Sequence, residues 1–575
     1  MQFNIEINNK LIPSKEGQTI LDALKNNGIK IPTLCRLESF TPTGACRLCV
    51  VEVEGMEHLV PACSYPVEKD MKIHTHSPRV IEARKTITEL LLSNHPDDCL
   101  YCERNGNCEL QNLAAELNIR ERSISGRKSK AKLDLSSAGI VHDPAKCVLC
   151  GRCIRVCEEI IHVATLEFKG RGNNTSVSTA MDGGLNFSSC IQCGQCILFC
   201  PTGALHEKSQ MDIIQEAMGN KKEITTRAFY APSVLATLAE EFNLRPGKQI
   251  KGILNAALKK IGFDTVYDAA VGSDIHIIEQ AAELQYKINQ GENMPLLSSA
   301  CPAWIKDLEQ RHPELLPYLS TVKSPEQIMG AIIKRNLAEN NGKYAKEPFT
   351  VAITSCPAKK FEAQRQEMTF HGNPDIDAVL TTRELIKLIK LNGIDIQALE
   401  AEHADEPFHY ASSAGKLPAV SGGTAESIMR TLHKNLSGEE PFKPKINKLR
   451  GAREFKEMTY SINDLQLRIA SLSPLNKICH VLPDIFNGTS PYHFIEVMAC
   501  PGGCINGGGQ PFASDDKTRG NRRKTIYNID DKSMRQMSHH NDPVMKFYEK
   551  HLGKPYGDKS KAMLHTYYSK RDILL

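Results

Sequence analysis

No run of about 18 apolar residues occurs in this 575-residue chain, so no segment is expected to span a bilayer. The N-terminus, MQFNIEINNKLI, lacks the basic, apolar and small-residue regions of a secretory leader. It alternates apolar and polar residues as a half-buried strand does, and the expected compartment is the cytoplasm. The chain also lacks charge of one sign: a net +4 at this length predicts neither a nucleic-acid nor a membrane partner. Its basic stretch, Glu121 to Lys132, carries no interleaved aromatics and reads as a solvated linker. Gly507 to Gly509 are not followed by lysine and serine, so they are no phosphate loop, and direct use of NAD is not expected. Tryptophan occurs once, at Trp304, where packing beside a cysteine loop is its simplest role. Hydrophobic content of 41% is that of a globular protein, and the length suggests roughly three to five domains.

What is abundant is cysteine, with 20 residues, all but Cys479 arranged in groups. Thiolate is the soft anionic ligand of iron–sulfur clusters, and in a reducing compartment such groups read as metal sites. Cys35, Cys46, Cys49 and Cys63 have a spacing close to the plant-type [2Fe–2S] pattern, within a module over residues 1–80 that resembles a β-grasp ferredoxin domain. Its expected elements are a hairpin from Phe3 turning at Asn8-Asn9, a helix over Thr19 to Asn26, and strands at Val50 to Val53 and Met71 to His74. His95, Cys99, Cys102 and Cys108, in residues 81–125 after a helix over Ile81 to Leu92, supply one imidazole and three thiolates. That set suits a [4Fe–4S] cluster; a zinc site of three thiolates and one imidazole has permissible spacing too, and the position between two iron–sulfur modules favours the cluster. Residues 126–209 carry Cys147, Cys150, Cys153 and Cys157, then Cys190, Cys193, Cys196 and Cys200 before Pro201. This is the bacterial two-cluster ferredoxin pattern, in which the fourth cysteine of each run serves the other cluster. One cluster is therefore assigned Cys147, Cys150, Cys153 and Cys200, and the other Cys190, Cys193, Cys196 and Cys157.

Residues 210–575 read as a large α/β domain. Strands are expected at Thr226 to Tyr230, Met294 to Ser298 and Phe349 to Ile353, with helices such as Ser324 to Asn340 and Thr382 to Leu391 between them. The fold class is thus multidomain, α+β and α/β: a β-grasp [2Fe–2S] domain, a small [4Fe–4S] domain with one histidine and three cysteine ligands, a two-cluster ferredoxin-like domain and the α/β domain. Spacing alone does not unite Cys301, Cys356, Cys500 and Cys504; their surroundings do. They lie in SSACPAW, TSCPAKK and FIEVMACPGGCINGGGQP, and here the chain resembles the large clostridial-type [FeFe]-hydrogenases over essentially its whole length. The resemblance implies an H-cluster: a [4Fe–4S] cluster on Cys301, Cys356, Cys500 and Cys504, bridged through Cys504 to a diiron unit with CO, cyanide and an azadithiolate. It further implies that Lys359 donates to a cyanide and that Pro232, Ser233 and Met498 line the same pocket. The reaction implied is interconversion of H2 with protons and electrons. One [2Fe–2S] and three accessory [4Fe–4S] clusters would relay electrons to ferredoxin or a similar carrier, and hydrogenase maturation proteins would be partners.

Several positions depart from the family pattern. Ala300 stands where the family has the cysteine that relays protons, and Gln280 replaces a glutamate one turn before Glu283. Glu283 and Ser320 match the rest of that path. Thr354 and Glu326 replace a methionine and a glutamine of the pocket. These changes imply slowed proton transfer, by a longer route through water or the hydroxyls of Ser298 and Ser299. Two other readings compete: a sensor of H2 or redox state, against which the chain's end at Leu575 without a signalling domain counts, and a non-catalytic relay subunit like the large iron–sulfur subunit of respiratory complex I. The long final cysteine motif argues against the latter, and Lys359 against iron–sulfur assembly relatives that lack the diiron unit. Cys479 reads as a buried core thiol.

Overall fold

A computed structural model describes the chain except residues 1, 39, 129–130, 245–249, 292–293, 340–345, 371, 513–514 and 574–575, and the side chains of 336–339. The N-terminal hairpin pairs Gln2–Ile7 with Lys10–Lys15, and Asn8 and Asn9 both take positive φ at its two-residue turn. Asparagine tolerates that conformation best after glycine. Three short strands complete a five-stranded sheet, and Thr19 opens the Ile20–Asn26 helix with a capping box to Asp22. The next helix, Pro78–Asn94, starts on the Ser77 cap and ends at His95. From it the buried Arg84 donates to the carbonyls of Leu48 (3.1 Å) and Val50 (2.9 Å), tying the second module to the cysteine loop of the first. The described residues of the basic stretch are mostly exposed, as expected, but tethered. Lys128 donates to the carbonyls of Leu92 (3.0 Å) and His95 (2.6 Å), and Arg122 pairs with Asp97.

Two sheets build the large domain. One is wholly parallel, in the order Thr265–Asp268, Ile224–Tyr230, Glu347–Thr354, Ala378–Thr381. Its strands are buried runs, as helices on both faces require. The other runs Leu296–Leu297, Phe494–Val497, Leu465–Leu472, Phe455–Ile462, with only the last strand antiparallel. The strand expected over Met294 to Ser298 shortens to Leu296–Leu297, the residues in register with Phe494 and Ile495. The helix expected over Ser324 to Asn340 spans Pro325–Glu339, with position 340 outside the described residues. Thr382–Leu391 forms as expected behind a capping box from Thr381 to Glu384. Trp304 is wholly buried in a core shared with Ala358 and Ala499. Cys479 is not a core residue: it is exposed, its sulfur 3.0 Å from the Asn476 carbonyl. The run NKICHV is a 3₁₀ turn, Leu475–His480, which buries Leu475 and Ile478 and turns the cysteine out.

Candidate active site

The loops that follow parallel strands converge between the two sheets, where α/β proteins ordinarily hold ligands. Pro232 and Ser233 follow Ile224–Tyr230, Cys356 follows Glu347–Thr354, Cys301 follows Leu296–Leu297, and Cys500 follows Phe494–Val497. They enclose a cavity of about 820 Å³, counting its mouth, whose wall includes all four cysteines of the group. Cys301 caps the Pro302–Arg311 helix and Cys504 opens a 3₁₀ turn. Ser473 holds the Cys500 carbonyl at 2.8 Å, while Ser355, itself 3.0 Å from the Ser233 hydroxyl, holds that of Cys504 at 2.7 Å. Burial pushes the Cys356 thiol up to about 12, and Cys301 adds to the effect. Burial likewise raises Cys500 and Cys504 well above an ordinary thiol, and neighbouring thiols add to it. Four thiols, Cys500 buried and the others half-buried at the cavity wall, that repel one another as thiolates are a donor set for a cationic cluster, so these residues fit the [4Fe–4S] part of the implied group.

Lys359 projects into the same cavity. Its ammonium lies 2.8 Å from Glu326, 2.9 Å from Glu362 and 3.4 Å from the Ala300 carbonyl. Burial alone would neutralise it; the two carboxylates instead hold it protonated, far above the usual lysine value. Met498, Thr354, Ser298 and Ala300 line the cavity as well. Ser299 does not line it. Its hydroxyl accepts from Gln280 Nε2 (3.1 Å) and donates to the Val322 carbonyl (2.6 Å), a backbone group that cannot pass a proton on. Ser298 accepts from the Val497 amide. The Ser299 proton is thus committed to the Val322 carbonyl, while Ser298 faces the cavity. Glu283, one turn after Gln280 on the helix Ala270–Gln290, accepts from Ser320 at 2.5 Å, and burial raises its carboxyl. Glu362 and Ser324 (2.9 Å apart) were missed in the sequence; Glu362 lies three residues from Lys359, a helical spacing that flags it.

The first cysteine group and the two of the ferredoxin module are gathered as well; of the cysteines after His95, Cys99 is exposed, Cys102 half-buried and Cys108 buried. Cys35 is pushed far down by the Cys46 thiol and then by Cys63, and both of those rise in return, chiefly through Cys35. His95 is buried with Nδ1 3.0 Å from the Pro96 carbonyl and Nε2 without a protein partner. That tautomer leaves a free lone pair, as a metal ligand needs. One small cavity is lined by Cys147, Cys150, Cys153 and Cys200, and another by Cys157, Cys190, Cys193 and Cys196, the crossed grouping the spacing implied. The second group touches the main cavity's loops. A Cβ on Gly508 would lie 2.3 Å from the Cys193 carbonyl, and one on Gly194 2.6 Å from Pro357, next to Cys356. Arg383 latches this junction: it pairs with Glu207 of the ferredoxin module at 2.9 Å and donates to the carbonyls of Gly508 (2.8 Å) and Gln510.

The arrangement defines a class: an iron–sulfur oxidoreductase in which several cluster sites lead to one buried, cysteine-lined cavity. Family models match along the chain: "2Fe-2S iron-sulfur cluster binding domain" at 1–78 and "NADH-ubiquinone oxidoreductase-G iron-sulfur binding region" at 84–123. "4Fe-4S dicluster domain" matches 146–204, "Iron only hydrogenase large subunit, C-terminal domain" 225–508, and "Iron hydrogenase small subunit" 516–571. The chain is 38% identical to the NADP-reducing hydrogenase subunit HndD of Solidesulfovibrio fructosivorans, across 100% of both chains. It is 35% identical to iron hydrogenase 1 of Clostridium pasteurianum, across 98% of this chain and 100% of that one. A solved variant of the [FeFe]-hydrogenase HydA1 from Chlamydomonas reinhardtii superposes with a TM-score of 0.55 at 30% identity, covering 62% of this chain and 98% of that one. The chain belongs to the iron-only, or [FeFe], hydrogenase family.

Proposed function

We propose that the chain interconverts H2 with two protons and two electrons at an H-cluster, and passes the electrons through one [2Fe–2S] and three accessory [4Fe–4S] clusters. The observation that carries this reading is Lys359, a buried cation beside two carboxylates in a cavity walled by Cys301, Cys356, Cys500 and Cys504. When bound, the H-cluster supplies an open iron position and a bridgehead amine for forming or splitting H2. Cys301, Cys356, Cys500 and Cys504 would hold its [4Fe–4S] part, and Cys504 would also serve the diiron unit. Lys359 offers a charge-assisted donor to an anionic ligand, and Pro232, Ser233 and Met498 keep water from the pocket. The close approach of Gly508 to Cys193 gives electrons a short way to the accessory clusters. Ala300 neither takes nor gives a proton, and the amide of Gln280 cannot carry one, so Glu283 and Ser320 are cut off from the cavity and turnover is slowed.

The carrier is ferredoxin or a similar protein in the cytoplasm, and maturation proteins install the diiron unit. Cys99 is exposed beside Leu100 (84% accessible) and Tyr101 (88%), which favours this module as a port for electrons. A second reading of the carrier rests on HndD: full-length likeness to a subunit of an NADP-reducing hydrogenase favours transfer to a companion subunit. Infrared spectra of protein matured with its assembly enzymes test the main reading. Bands from iron-bound CO and cyanide, together with H2-dependent reduction of a dye, are expected; without those bands the hydrogenase reading ends. Reduction of ferredoxin by the isolated chain, measured against the chain co-purified with any companion, separates the two carriers.

A further inference from the structure

Outside the cavity, three metal-ligating side chains meet where the C-terminal segment packs on the large domain. Glu440 follows the helix Gly423–Ser437, and His539 and His540 lie in the 3₁₀ turn Ser538–His540. Both imidazoles reach the same carboxylate. Nε2 of His539 is 3.1 Å from Glu440 Oε2, and Nε2 of His540 is 3.2 Å from Oε1. The two rings stand edge to face with centroids 4.7 Å apart, and one ligand atom from each of the three residues lies within 4.8 Å of the other two. A tetrahedral zinc ion with bonds of about 2.0–2.1 Å spaces its ligand atoms about 3.3 Å apart, so receiving an ion here calls only for small side-chain rotations.

Both carriers of these ligands are fixed without any ion. The Ser437 hydroxyl accepts from the Glu439 amide (3.0 Å) and donates to the Glu439 carbonyl (3.1 Å), which holds the chain just before Glu440. On the other side Ser538 and Asn541 are wholly buried, and Asn541 donates to Asp274 at 2.8 Å. Arg430, on the helix that leads to Glu440, donates to the Gln536 carbonyl at 2.8 Å and so ties the two carriers together. Ligands ordered beforehand spare an incoming ion the cost of ordering them. Burial holds His539 below the usual imidazole value, which keeps it a neutral ligand. Lys434 competes for the carboxylate from 3.5 Å, but has the Gly438 carbonyl at 3.0 Å as a second partner.

We propose that Glu440, His539 and His540 bind one exchangeable divalent transition-metal ion, which clips the C-terminal segment to the helix Gly423–Ser437. Two imidazoles and one carboxylate suit a first-row ion of the zinc type. The side chains of His540 and Glu440 are 44% and 40% accessible, which leaves the ion's remaining positions to water. On binding, the ion takes the Nε2 lone pair of each ring and the ring proton resides on Nδ1. Nδ1 of His539 is buried without a partner, where a metal-bound histidine ordinarily donates to an acceptor. That omission costs about 10–100-fold in affinity, which makes the ion exchangeable and not permanent. The clip spans the boundary between the two family matches, 225–508 and 516–571, and does not depend on the hydrogenase reading.

The test is anaerobic calorimetric titration of Zn2+ into the untagged, cluster-loaded full-length chain carrying Cys479→Ser, which removes the thiol outside the cluster groups. One ion per chain is expected. Adding Glu440→Gln or His540→Ala should weaken binding by more than about 10²-fold, since a ligand itself is lost. Both side chains are exposed, and unchanged iron content and circular dichroism would certify folded, loaded variants. Hydrogen exchange followed by mass spectrometry supplies a second reading. Saturating Zn2+ should slow exchange over residues 538–547 severalfold, and should leave it unmoved when Glu440→Gln is present. Zinc bound equally well by all three chains, or no heat at millimolar Zn2+, would overturn the site. Binding that the substitutions abolish, with exchange over 538–547 unmoved by zinc, would overturn the clip.

Discussion

Lys359 is the residue on which the cavity's charge balance turns. Its substitution by Met would leave Glu326 and Glu362 buried with no cation between them. Uncompensated buried charge of this kind costs about 3–5 kcal/mol. Chemical denaturation of the metal-free Lys359→Met variant should show a loss of that size, and Lys359→Met combined with Glu326→Gln should recover part of it. The proton path is open to a second test at this scale. Ala300→Cys alone should help turnover only partly, because Gln280 still fixes Ser299 as an acceptor. Ala300→Cys with Gln280→Glu should raise turnover by about 10²-fold and by more than either change alone, with the H-cluster confirmed by infrared. A double variant no faster than wild type would show that proton supply is not limiting.

At the scale of elements, the junction between the ferredoxin module and the catalytic domain is a strand end meeting a helix start. Glu207 closes the Leu205–Glu207 strand and Arg383 stands in the first turn of Thr382–Leu391. Burial pushes the Glu207 carboxyl up, but the Arg383 guanidinium outweighs it and holds the group down at about 2, below its usual 4.5. A depressed carboxyl stabilises the fold above its unfolded pKa and loses that contribution as pH falls through the folded one. The metal-free wild type should therefore exceed Glu207→Gln by on the order of 3 kcal/mol at neutral pH. The gap should close between about pH 5 and 2, followed by denaturant midpoints. Elements were legible where a local rule sets them: paired positive-φ asparagines for the hairpin and a capping box for Thr382–Leu391. The strand over Met294 to Ser298 was overestimated because only Leu296 and Leu297 find partners in register on the neighbouring strand. Cys479 was misplaced because periodicity cannot tell a 3₁₀ turn's outer side from its inner one.

For the molecule as a whole, the first module touches both the second, through Arg84, and the ferredoxin module, through Arg155 against Thr41 and Phe40, so it joins the accessory sites at one side of the array. Replacing Cys35 or Cys46 should therefore remove a port for electrons and spare the reacting site. Exchange with a protein carrier should fall severalfold or more, while H2 evolution from an artificial donor stays near wild type. Equal loss of both, in a folded variant with a loaded H-cluster, would refute that division. Cysteine spacing made most of this plan readable, because thiolate ligands must sit at nearly fixed intervals in a loop. Ser324 and His276 were not readable: they come from separate segments, and only the folded chain brings Ser324 to Glu362 and His276 to the Lys323 carbonyl.

Gly508 has a consequence for the order in which the molecule is made. Its Cα packs against the backbone of Cys193 and Gly194, so the loop through Cys500 and Cys504 seats on a ferredoxin module that is already formed. Chains leave the ribosome N-terminus first, at about 5–20 residues per second, and about 300 residues separate the two contacts. The wall that completes the cavity thus arrives roughly 15–60 s after the surface that receives it. Synthesis itself leaves the cluster pocket open on one side until the loop through Cys500 and Cys504 is made, and a glycine lets that loop seat flush.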